Sequence, residues 1–141
     1  MITMAPPRPT GLTEVHGCQV RLPAVPATAA EARDHVRAVL AAWEVPVDAD
    51  IAVLLASDLV TNAILHQADG TVTLAVTCSP GQLRVDVFGT AQHLPPQGPL
   101  PAAVETGPGL VLLATLADRW GWYPTPLGRA VWFTLAFPPG P

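Results

Sequence analysis

Apolar residues recur along this chain with two periods. Strict alternation marks TVTLAVT (71–77) and LRVDVF (83–88), and each predicts a half-buried strand. The CSPGQ between them carries Pro and Gly, so the pair reads as a β-hairpin. CQVRLP (18–23) alternates enough for a first, edge-type strand. In PATAAEARDHVRAVLAAW a 3.6-residue period takes over, with Ala32, Val36, Val39, Leu40 and Trp43 on one stripe. Thr28, with Glu31 three residues on, has the spacing of a capping box and predicts the N-cap of this helix. VPVDADIAVLLASDLVTNAILHQ predicts a second helix opening near Asp48 or Asp50. Because it is apolar on most sides, it belongs at the centre of the fold.

Asp69-Gly70 marks a turn. From Ala91 to Gly109 the chain is too rich in Pro and Gly for regular structure, and a loop of that length in a small domain is commonly functional or disordered. LVLLATLADRW (110–120) predicts a short apolar helix with Gly107 and Pro108 at its start, where Pro is tolerated. GWYPTPLGRAVWFTLAF (121–137) predicts two closing strands. The order is strand, helix, helix, two strands, loop, helix, two strands. It implies an α+β two-layer sandwich, a mixed, mostly antiparallel sheet covered on one face by three helices. Residues 1–16 read as a Pro-rich flexible tail and 17–138 as one domain, with no internal repeat.

Composition narrows the function. A chain of 141 residues builds one domain with a real core. Seven Arg, no Lys and a net charge of −4 leave no basic stripe for nucleic acid. Cys18 and Cys78 make neither a disulfide framework nor a metal set, and read as buried thiols. The N-terminus lacks an apolar run of signal length, and no segment is apolar enough to span a membrane, so a cytoplasmic location is expected.

Candidate chemistry sits on the second helix, where Asp58, Asn62 and His66 follow at four-residue spacing and share one side. Such a stripe can be a solvated face that also carries Ser57 and Thr61. It can also be a site, with an amide oxygen for a hard cation such as Mg²⁺ and a carboxylate one turn earlier to orient a nucleophile. In GPGLVLLATLADRWGW, glycines at a helix start can turn backbone amides toward phosphates. The Lys and hydroxyl of a Walker loop are absent there, which excludes that nucleotide class.

Taken together, SDLVTNAILH, LRVDVFGTAQHLP, GPGLVLLATLADRWGW and GRAVWFTL resemble, in order and spacing, the GHKL (histidine-kinase-like) ATPase superfamily. More narrowly they resemble the small anti-sigma-factor serine kinases and their actinobacterial relatives. The resemblance covers roughly Val20 to Phe137. It implies an ATP site with Mg²⁺ held by Asn62, and Asp58 standing where the family has a Glu general base. Gly107, Gly109 and Leu110 match the family's G-x-G-L, and His66 matches a common position at the helix end. Thr134 is expected near the base pocket.

Departures from the pattern shape the expected function. Gly89 stands where relatives carry the Asp that accepts the exocyclic amine of adenine, with Thr90 as a weak substitute. Asp86 cannot replace that Asp, because three positions back on a strand it faces the other way. Pro108 falls between the two glycines and removes a backbone donor. Four prolines lie within the expected lid, Ala91 to Thr106.

The leading expectation is an ATP-binding regulator of the anti-sigma kinase type with weakened or lost ATP binding. It would control transcription through a sigma factor or an anti-sigma antagonist, contacting Arg33, Arg37 and the Pro-rich loop, and would form a homodimer as relatives do. One alternative is an active Mg-ATP-dependent serine/threonine kinase. Another is a reshaped pocket beside Gly89, lined by Phe88 and Trp132, for a different small ligand.

Overall fold

The computed structural model describes residues 15–65, 70–89, 108–126 and 128–138. Its elements run β1 (His16–Pro23), α1 (Thr28–Ala42), α2 (Ala49–Leu65), β2 (Thr71–Ser79), β3 (Gln82–Gly89), α3 (Pro108–Leu116), β4 (Arg119–Thr125) and β5 (Gly128–Ala136). The strands form one sheet in the order β1-β2-β3-β5-β4. Where a mixed sheet was expected, every pairing among the described strands is antiparallel. The predicted α+β sandwich is the observed architecture.

Alternation sorts each strand between two environments. In β1, His16, Cys18, Val20 and Leu22 are buried while Gly17, Gln19, Arg21 and Pro23 are exposed. The pairing register continues the buried set across the sheet through Val72, Leu74 and Val76 to Leu83, Val85 and Val87, and then to Phe133 and Leu135. The helices cover this face: α2 packs on β2, β3, α1 and α3, and α1 also reaches β2. Ala52, Leu55, Ala56 and Val60 of α2 are fully buried in the resulting core. Among the described residues no helix is long and apolar enough to cross a membrane.

Three boundaries differ from the sequence-based expectation, each for a local reason. Thr28 is not the N-cap of α1. Ala27 holds that position without a side-chain cap, and the buried Thr28 hydroxyl donates to the carbonyl of Pro23 instead, tying helix start to strand end. The third helix stops at Leu116 rather than Trp120, because the amide of Asp118 donates to the carbonyl of Thr134 (2.9 Å) and the chain enters the sheet. The first hairpin is tighter than predicted, turning on Pro80 and Gly81 alone. Gly81 has φ 82, a conformation glycine adopts without steric cost.

The end of α1 is closed by a Schellman arrangement. The amide of Val45 donates to Leu40 and that of Glu44 to Ala41, with Glu44 at φ 52. This turn buries Trp43 completely and aims the chain into α2.

Candidate functional site

The position of α2 follows from its first turn. Asp48 is the cap: its Oδ1 accepts the amides of Asp50 (3.0 Å) and Ile51 (3.3 Å), satisfying two donors that lack helical partners. The apolar faces of the helix then drive it between α1, α3 and the sheet. What remains polar on so buried a helix is confined to a narrow strip.

Asp58 lies in that strip, half-buried. Its Oδ2 is shut off from solvent and has no hydrogen-bond partner among the described residues. Desolvation raises its pKa above the usual carboxylate range. An unpaired buried acceptor is costly to keep, by about 1–3 kcal/mol, so its presence needs a reason. Asn62, one turn on, is half-buried. Next to Asp58, the buried Ser57 hydroxyl accepts from Arg33 Nη1 at 3.0 Å.

That contact changes the meaning of the basic stripe on α1. Arg33 and Arg37 were expected to meet a partner. In the structure both reach α2, Arg37 pairing with Asp50 at 3.1 Å. They brace the two helices, and Arg33 does so beside the candidate site.

Gly89 ends β3 opposite Val72. Alternation from Val85 and Val87 directs position 89 toward the helices, where a base-reading side chain would be needed. Pro108, Gly109 and Leu110 form the first turn of α3, which packs on α2. Gly107, Thr90, His66 and the lid Ala91–Thr106 lie outside the described residues.

Thr134 stands elsewhere. It pairs with Arg84, on the sheet face turned away from the helices, and the structure does not bring it together with Asn62 and Gly89. Its neighbours Phe133 and Leu135 take the core-facing positions, and strand alternation leaves Thr134 the other side.

That outer face carries a network the sequence reading missed. Asp86 is 8% exposed and accepts from Arg84 Nε (2.8 Å), Arg84 Nη2 (3.0 Å) and the Tyr123 hydroxyl (3.0 Å). The guanidinium of Arg84 lies 4.4 Å from the centre of the Trp132 ring, which itself rests against Gly121. The bond to Asp86 is the main reason the Arg84 pKa is raised, and burial is the main reason that of Tyr123 is. The i, i+2 spacing of Arg84 and Asp86 was the available signal, since it puts opposite charges on one side of a strand. Phe88 and Gly89 do border a cleft, as the third expectation had it. That cleft lies on this outer face, and Trp132 is not among its walls.

Both cysteines are buried free thiols, as predicted, and burial raises both pKa values. Cys18 Sγ sits 3.7 Å from Nε2 of His35, whose pKa burial lowers.

Sequence comparison places this geometry. Residues 22–135 match the model of the histidine kinase-like ATPase domain. A Streptomyces coelicolor relative, described only as an uncharacterized protein, is 41% identical over 69 residues, which is 46% of this chain and 66% of that protein. The chain therefore spans just under two thirds of that relative's length. With the family match covering most of the sequence and the helix-covered sheet it requires in place, the chain belongs to the histidine kinase-like ATPase domain family.

Proposed function

We propose that this chain is an ATP-binding regulatory protein of the anti-sigma-factor serine kinase type, with weakened or lost nucleotide binding. It acts on transcription through a sigma factor or an antagonist protein. The observation that carries the reading is Gly89: the helix-facing position at the end of β3, where a carboxylate would read adenine, has no side chain. The chemistry of the strip on α2 fits the magnesium nucleotide otherwise. Magnesium takes one or two protein ligands and completes its shell with phosphate oxygens and water. Asn62 would supply the amide oxygen, and the unpartnered Asp58 oxygen is an acceptor held ready beside it. Bound magnesium supplies charge neutralisation on the phosphates. Arg33, Arg37 and the Pro-rich segment 91–106 are the proposed contact surface, the two arginines remaining exposed while they brace α2.

One observation favours a second reading, an active serine/threonine kinase. A general base works best with a pKa near the operating pH, and burial moves Asp58 in that direction. Asp58 would take the proton of the attacking hydroxyl, from a side chain one methylene shorter than the family's Glu.

Calorimetric titration of the full chain with Mg-ATP and Mg-ADP separates the two. Weak or absent binding, together with native pull-down of a sigma factor or an antagonist, supports the regulator. Micromolar binding and phosphate transfer to a captured antagonist support the kinase. If nucleotide does not bind and neither kind of partner is recovered, both readings fail.

A further inference from the structure

The outer face of the sheet holds a cleft of about 410 Å³, within the range of small-molecule sites. One cross-strand row runs through it. Arg21 on β1 pairs with Thr73 on β2, Thr73 with Phe88 on β3, Phe88 with Ala130 on β5, and Ala130 with Tyr123 on β4. Ala130 of β5, between the two aromatics in this row, is fully buried and is not itself a wall of the cleft. Toward the strand ends the walls are Thr71 and Thr125. The register thus brings two rings and two hydroxyls to the borders of one cleft.

Its walls are fixed in advance. The Tyr123 hydroxyl donates to Asp86, which is itself clamped by two bonds from Arg84, so the ring of Tyr123 stands against a buried support. That clamp also consumes the charges of Arg84 and Asp86. Arg21 is then the one ionised side chain among the cleft's walls, and no carboxylate pairs with it among the described residues. A guanidinium at one end and aromatic surface at the other match a ligand with one anionic group and a flat apolar body.

We propose that this cleft binds a small aromatic carboxylate, its carboxylate on Arg21 and its ring between Phe88 and Tyr123. The site is separated by the sheet from Asn62 and Asp58, so it stands or falls independently of the nucleotide reading.

The test is an NMR titration of the full chain with naphthoate and with its uncharged analogue naphthamide. Naphthoate should shift the amides of Arg21, Thr73, Phe88 and Thr125 and leave those of Asp58 and Asn62 in place. Naphthamide should bind roughly fivefold more weakly, the scale of a partly exposed ion pair. Arg21→Gln, an exchange at an exposed position that leaves the core untouched, should bring naphthoate down to the affinity of naphthamide and leave naphthamide unaffected. Mg-ATP should not displace the probe. Equal binding of both probes, wild-type affinity for naphthoate in Arg21→Gln, shifts centred on α2, or no saturation up to about ten millimolar would each overturn the proposal.

Discussion

Restoring a carboxylate at position 89 is the sharpest test of why nucleotide binding should be weak. Among the described residues the glycines with positive φ are Gly70 and Gly81, not Gly89, so Gly89→Asp is accommodated without backbone strain. Register opposite Val72 and the buried positions of Val85 and Val87 send the new side chain toward α2. There it would accept the exocyclic amine of adenine. A hydrogen bond to a charged group contributes about 1.5–3 kcal/mol, which is about tenfold to a hundredfold or more in affinity. The Asp58 carboxylate stands on the same side of the sheet, and like charge works against the gain. The lower end, about tenfold, is therefore the expectation. Gly89→Asn offers a neutral acceptor worth about 0.5–1.5 kcal/mol, hence roughly a threefold to tenfold gain.

Calorimetry with Mg-ATP, Mg-ADP and Mg-GTP reads the effect. Guanine presents a carbonyl oxygen where adenine has its amine, so the carboxylate should help the adenine nucleotides and leave GTP unimproved. An equal gain for GTP would show that the substitution acts through charge or folding and not through base recognition. No gain for any nucleotide, with the melting temperature unchanged, would refute the assignment of position 89 to the base pocket.

Other expectations follow from single contacts. Asp58→Asn should be more stable than the parent at pH 7. The raised pKa of Asp58 means that the unfolded chain ionises first, so this group lowers stability as pH rises through and above the usual carboxylate range; the advantage of the variant in thermal melts should shrink as pH falls toward about 4. Arg33→Ala should cost about 1 kcal/mol in chemical denaturation, because it strands the buried Ser57 hydroxyl. Arg37→Ala should cost less than about 0.5 kcal/mol, since its ion pair with Asp50 is open to solvent. In Gly121→Ala the new methyl would stand 3.1 Å from Trp132, a tight contact from which the indole, held by Arg84, must give by a few tenths of an ångström. The variant should lose about 1–2 kcal/mol and alter the near-ultraviolet dichroism of the displaced indole.

Much of this fold was legible in the sequence because its strands obey alternation. TVTLAVT and LRVDVF pair as the hairpin their pattern predicts, and Asp48 caps α2 as one of the two positions proposed. The misses share a cause. Thr28 has capping-box spacing, but its hydroxyl finds the Pro23 carbonyl, a partner set by where β1 ends. Trp120 continues an apolar run that looks helical, but the sheet captures the chain at Asp118. Arg33 and Arg37 also reach across to the facing side of α2, contacts that their spacing on α1 does not reveal. In each case a contact between elements outweighs a local preference, and no window of sequence contains both halves of it. The site divides in the same way. The spacing of Asp58 and Asn62 was visible, but the unpartnered oxygen of Asp58 exists only because α1, α3 and the sheet close around α2.

The two faces of the sheet answer to different demands. A single-sided sandwich needs only polar, soluble residues on its uncovered face. Here that face carries Phe88, Trp132 and Tyr123, with a buried carboxylate clamped among them. Burying Asp86 and satisfying it with three donors adds little to stability compared with an apolar replacement, so packing alone does not account for the network. What the network does is hold Tyr123 and Trp132 in set positions on a surface that would otherwise be plain. On the other face, Gly89 offers no side chain at the end of β3. The proposed weakening of nucleotide binding and the proposed ligand cleft therefore lie on opposite faces of one sheet, and each is tested without the other.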